Sequence, residues 1–175
     1  LLANLKYTYL TPSETVSLRG GKLGKVVLES VLEEWLEKNN SIEAKDKSVP
    51  FTKANIKEAV NSISNIPFDS LFSNNEKIYD LLTLGKSLEQ TIDGSSRSYS
   101  IQYINWEEPH KNIFHITDEY EVEKRNSHKT RRPDIVLFVN GIPLVIIECK
   151  KPGLGDEAVK EGISQHLRNQ KTDEI

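Results

Sequence analysis

Residues 131–152 read RRPDIVLFVNGIPLVIIECKKP, two apolar runs joined by Asn140-Gly141. Short runs rich in Val, Ile, Leu and Phe, separated by an Asn-Gly pair, predict two adjacent strands, over 133–139 and 143–150. Asp134 opens the first strand, and Glu148 and Lys150 close the second. Charged side chains among residues expected to be buried need partners. Two carboxylates without an obvious local partner, at the ends of neighbouring strands, suggest a divalent-cation site.

Strand parity makes this a condition on the turn. Successive side chains alternate faces, so Leu144, Ile146, Glu148 and Lys150 share one face, and Val145, Ile147 and Cys149 the other. A plain two-residue loop at Asn140-Gly141 would pair Val139 with Ile142 and set Asp134 opposite Ile147, separating the two carboxylates. A three-residue loop, Asn140-Gly141-Ile142, or an equivalent bulge, sets Asp134 opposite Glu148. The site therefore requires an odd-length loop or a bulge.

Hard oxygen ligands from Asp134 and Glu148, with the backbone carbonyl of Cys149 as a third, suit Mg²⁺ or Mn²⁺ and leave room for a phosphate oxygen and a water. Lys150 could orient or deprotonate that water, or neutralise charge developing on phosphate oxygens. The same residues also fit an ordinary Glu148–Lys150 pair at a strand end, with Asp134 bonded to Arg131 or Arg132. Upstream, Lys124 to Lys129 with Arg131 and Arg132 form the strongly basic cluster of the chain. It reads as a phosphate-contacting patch or as a solvated loop.

Towards the amino terminus, Val27, Leu28, Val31, Leu32, Trp35 and Leu36 recur at helical spacing and predict an amphipathic helix over 26–38, stopped near Asn39-Asn40. A loop should follow, up to Pro50. Shorter helices are expected over 53–63 and 75–84, the second capped by Asn74 and stopped by Gly85. Gly85-Lys86-Ser87 resembles the end of a phosphate-binding loop, but Asp80 stands where that motif needs glycine, so a helix cap is the better reading. From Lys86 onward the period shifts to strands: a hairpin turning at Asp93-Gly94, then a strand over 112–122, and finally a helix over 156–170. Together these predict an α/β fold with a mixed or antiparallel central sheet flanked by helices, helical over 1–85 and sheet-rich over 86–175.

At 175 residues the chain can bury a core without staples, and its net charge of -3 does not by itself mark a nucleic-acid binder. A single cysteine, no signal segment and no membrane-length apolar run point to a reducing, cytoplasmic setting. His110, His115, His128 and His166 lack metal-ligand spacing. Cys149 is expected in the core. Glu29, Glu33 and Glu34 read as a solvated helix face, any one of which could add a carboxylate to the site.

The run RRPDIVLFVNGIPLVIIECKKPG resembles, through its whole length, the PD-(D/E)xK nuclease superfamily, and more narrowly the amino-terminal nuclease domain of the restriction (R) subunit of type I restriction-modification enzymes. The resemblance implies a restriction-endonuclease-like core, a single nuclease domain over 1–175, and Mg²⁺-dependent cleavage of double-stranded DNA with Asp134, Glu148 and Lys150 as catalytic residues. It implies a larger subunit whose motor domains, absent from this chain, use ATP, and a complex with modification (M) and specificity (S) subunits. Lys129, Arg131, Arg132, Gln165 and Asn169 are the expected DNA contacts. The family carries Gln-x-x-x-Tyr on the helix after the ExK strand; Gln165 matches, while Asn169 stands in the tyrosine position. The alternatives are a DNA-binding or assembly module of this fold that does not cleave, and a repair or recombination exonuclease of the same superfamily.

Overall fold

The apolar stripe of the long helix α2 (Glu29–Asn39) organises the molecule, with Leu28, Leu32, Trp35 and Leu36 essentially inaccessible. The computed structural model describes residues 6–44, 47–124, 129–150 and 155–169. Burying three leucines at roughly 1.5–3 kcal/mol each outweighs anything a surface pair can add. The Lys38–Glu34 pair, at 2.6 Å, belongs to a class worth only about 0.2–0.5 kcal/mol. Packing, then, holds α2 in place.

One side of α2 packs with α3 (Lys53–Ser64) and the hairpin β4 (Lys86–Ile92) and β5 (Ser95–Ile101) around Ile56, Ala59, Ile63, Leu88 and Ile101. Its start reaches a second cluster, where Leu28 and Val31 meet Tyr120, Val136 and Phe138. That cluster lies on a four-stranded mixed sheet ordered β1 (Thr8–Tyr9), β6 (Phe114–Asp118), β9 (Ile135–Val139) and β10 (Ile142–Ile147). The β1–β6 pair is parallel and the other two pairs are antiparallel. A short ribbon, β7 (Val122–Glu123) with β8 (Thr130–Arg131), leads into β9. Helix α5 (Gly155–Asn169) follows β10.

The expected helices and the other strands are present with shifted bounds, but the strand expected over 112–122 is divided into β6 and β7 where Glu119 takes φ +47°. Strand β10 stops at Ile147, before Glu148 and Lys150, and the β4–β5 hairpin forms a sheet of its own. Three differences have physical causes. Where a loop is expected, β2 (Ser41–Ala44) pairs antiparallel with β3 (Lys47–Pro50), because Ile42, buried in the core, and Ala44, packed against it, anchor an otherwise polar ribbon. Helix α4 (Leu71–Leu84) starts before the expected Asn74 cap, since the Ser70 hydroxyl accepts the Ser73 N–H at 3.1 Å; Gly85 does close it. Helix α1 (Pro12–Leu18), ahead of every element anticipated, is opened by a capping box between Thr11 and Glu14.

Asn140-Gly141 joins the sheet to α2. Asn140 is wholly buried, donating from Nδ2 to the Tyr103 carbonyl and to Asn112 Oδ1, both at 2.9 Å, and accepting the Ile113 N–H at 2.8 Å. The Gly141 carbonyl accepts the Leu28 N–H at 2.8 Å, supplying what no side chain supplies at the start of α2. Gly141 has φ +83°, and a Cβ there would lie 2.6 Å from the Leu28 carbonyl oxygen, so only glycine fits.

Candidate active site

The register of β9 and β10 decides whether Asp134 and Glu148 meet. Asn140 and Gly141 both have positive φ and form a two-residue turn, with Val139 opposite Ile142. On that register alone the carboxylates would part. The pairing then shifts: Pro143 faces Phe138, but Val145 faces Leu137, leaving Leu144 as the extra residue of a bulge. Ile147 faces Ile135, so continuing the register by one residue sets Glu148 across from Asp134. The loop is even, and the bulge supplies the required shift.

Asp134 is fixed from several directions. Its Oδ2 accepts the Cys149 N–H at 2.6 Å, and its Oδ1 has no hydrogen-bond partner among the described residues. Its carbonyl accepts the Glu119 N–H at 2.9 Å, and the Pro133 carbonyl accepts the Tyr120 N–H at 3.1 Å. Residues at the end of β6, unremarked in the sequence, thus hold the backbone of the aspartate. Their signal lies in no motif.

Glu148 and Lys150 do not pair directly. Gln165 of α5 stands between them: Lys150 Nζ donates to its Oε1 at 2.7 Å, and its Nε2 lies 3.4 Å from Glu148 Oε2. The amide complements both neighbours, accepting from the ammonium and facing the carboxylate with its NH₂. Asp134, Glu148, Lys150 and Gln165 are all partly buried. The side chain of Asn169 lies outside the described residues, as do Lys151 to Leu154 and His128.

The basic cluster is partly neutralised, with Arg132 Nη1 lying 3.6 Å from Glu119 Oε2. Lys129 is exposed and Arg131 half-buried. The alternative in which an arginine holds Asp134 is not what forms for Arg132. Cys149 is exposed, against its expected place in the core. The apolar residues Leu144 to Ile147 of β10, the edge strand of its sheet among the described residues, are also exposed, between 36% and 54%. Among the described residues no three His, Cys, Asp or Glu side chains converge as a metal cage. Two carboxylates are nonetheless a fitting set for Mg²⁺, which keeps several waters and takes one or two carboxylates beside substrate phosphate. No described helix is long and apolar enough to cross a membrane.

In this mixed α/β chain the sheet brings the segments carrying Asp134 and Glu148 together, with Lys150 and the helix residue Gln165 beside them. The comparisons give the family: all of residues 1–175 match the model for the type I restriction enzyme R protein N terminus, and the chain belongs to that family. It is 27% identical, over 97% of its length, to a protein of Methanocaldococcus jannaschii assigned as the endonuclease subunit of the type I restriction enzyme MjaIXP. It is 30% identical, over 75% of its length, to the endonuclease subunit of the type I restriction enzyme HindI of Haemophilus influenzae. The matched regions span 16% and 12% of those two relatives.

Proposed function

We propose that this chain is the nuclease domain of a type I restriction R subunit, with a PD-(D/E)xK core, cleaving double-stranded DNA with Mg²⁺ or Mn²⁺. The observation that carries the reading is the bulged register, which sets Glu148 across from Asp134 with Lys150 and Gln165 alongside. Asp134 Oδ1, Glu148 and the Cys149 carbonyl are the oxygens that would hold the cation. When bound, the ion supplies a Lewis acid and lowers the pKa of a water. Lys150 is then the nearby cation for charge developing on phosphate oxygens. Gln165 is a positioning residue, holding Lys150 Nζ away from Glu148 so that both act on substrate and not on each other. Lys129, Arg131 and Arg132 contact flanking phosphates. Motor domains elsewhere in the subunit use ATP, and modification and specificity subunits complete the complex.

Nicking of supercoiled plasmid with Mg²⁺ tests this, with Mn²⁺ binding followed by calorimetry. Asp134→Ala, Glu148→Ala and Lys150→Ala should each lower the nicking rate by about 10²-fold or more, in the range of a lost electrostatic catalytic group. Asp134→Ala and Glu148→Ala should also weaken Mn²⁺ binding, whereas Lys150→Ala should not. Cleavage that survives both Asp134→Ala and Lys150→Ala would sink the assignment. Tight DNA binding with neither nicking nor Mn²⁺ uptake would favour a module that does not cleave.

A further inference from the structure

Between α1 and α2 the chain reads Arg19-Gly-Gly-Lys-Leu-Gly-Lys25. Gly20 and Gly21 adopt left-handed φ of +66° and +75° and return their N–H groups to the Ser17 and Val16 carbonyls, each at 2.9 Å. The Lys25 N–H returns to the Lys22 carbonyl at 3.2 Å. Among the described residues the N–H groups of Lys22, Leu23 and Gly24 have no protein acceptor. Lys22 is exposed and in no ion pair there. A run of free amides beside an ammonium is the donor set that suits a tetrahedral oxyanion.

This loop is built in place. Beneath it Arg19 is wholly buried, donating from Nε to the Thr15 carbonyl at 3.1 Å and from Nη1 to the Lys25 and Glu121 carbonyls at 2.9 and 3.0 Å. Its guanidinium also lies 4.3 Å from the ring centroid of Tyr120. The Leu23 carbonyl accepts the Glu123 N–H at 3.0 Å, which ties the loop to the β7–β8 ribbon. Loop and ribbon together line a cavity of about 520 Å³ bounded by Gly21 to Lys25, Glu123 and Thr130. The ribbon carries Lys124 and Lys129 and runs through Arg131 and Arg132 to Asp134. Countercharges are present: Glu29 pairs with Lys25, Glu119 with Arg132, and Glu123 forms part of the cavity wall. Lys22 and Lys124 are in no ion pair among the described residues.

We propose that the Gly20–Lys25 loop is a phosphate clamp, gripping the DNA backbone beside the strand that delivers Asp134, with the Lys22 ammonium and the amides of Lys22, Leu23 and Gly24 as its donors. The proposal rests on the reading of the chain as a DNA nuclease. Its test is the salt dependence of duplex binding by the 175-residue chain, together with lysine acetylation footprinting with and without duplex. Lys22→Ala should reduce the slope of log K against log[salt] by about 0.9, the value of one released phosphate contact, and weaken binding evenly across unrelated sequences. Lys22→Arg should retain the slope. DNA should protect Lys22 from acetylation while leaving Lys57, on α3, reactive. An unmoved slope in Lys22→Ala, or an unprotected Lys22, overturns the clamp even if Asp134→Ala abolishes nicking. Nicking that persists in Asp134→Ala would instead overturn the catalytic assignment and leave a protected Lys22 standing.

Discussion

Replacing Asn140 tests whether the β9–β10 turn, on which the meeting of Asp134 and Glu148 depends, is held by that side chain. Asn140→Ala removes three hydrogen bonds, to Tyr103, Asn112 and Ile113, from a position with no solvent access. At about 1 kcal/mol net for each, the loss is about 3 kcal/mol. Alanine at φ +53° adds left-handed strain, which asparagine tolerates better, of about 1 kcal/mol. Asn140→Ala should therefore cost about 4 kcal/mol, and Asn140→Gly, which loses the same bonds without the strain, about 3 kcal/mol. With a urea m-value on the order of 2 kcal/mol/M, the midpoints should fall by about 2 M and about 1.5 M. Equilibrium urea unfolding followed by tryptophan fluorescence reads both. A loss below about 1 kcal/mol in Asn140→Ala would refute the hydrogen-bond argument. A glycine variant no better than the alanine variant would refute the backbone argument.

Gly141→Ala should destabilise by about 2 kcal/mol or more, since the new Cβ meets the backbone of Leu28 as well as an unfavourable φ. Gly94→Ala, with a similar φ but open space, should lose less in the same urea unfolding, and equal losses would remove the clash from the explanation. Burial lowers the pKa of His115 below its ordinary 6.5, and its Nδ1 has no hydrogen-bond partner. The folded state therefore takes up that proton less readily than the unfolded chain. The stability is fully present above pH 6.5 and falls as pH drops through the unfolded value towards the folded one. NMR titration should place the His115 imidazole below 6.5, and His115→Gln should flatten the acid limb of stability against pH. An unshifted titration would contradict the burial argument.

How much of this was legible in sequence follows from the range of each signal. The stripe from Val27 to Leu36 and the two runs around Asn140-Gly141 are periodic within themselves, so α2, β9 and β10 could be placed from spacing. The pairing of β2 with β3 could not, because a polar ribbon in which Ile42 is the one deeply buried residue of the two strands shows little alternation of burial. Cys149 is exposed because strand parity assigns a face and not a depth, and the strand itself ends at Ile147, two residues before it.

By itself the sequence determined which chemical groups this chain has and their order against its apolar runs: Asp134 just before one, Glu148 and Lys150 just after the next. Local backbone geometry is enough for that, since the strand period belongs to consecutive residues. Only the tertiary structure decided that the turn is even, that Leu144 bulges to bring the carboxylates opposite, and that Gln165 enters between Glu148 and Lys150. It also decided that Arg132 turns to Glu119, and that the Gly20–Lys25 loop joins a ribbon about a hundred residues away. A register shift and a contact between distant segments are properties of pairs of elements, and no spacing within either element records them.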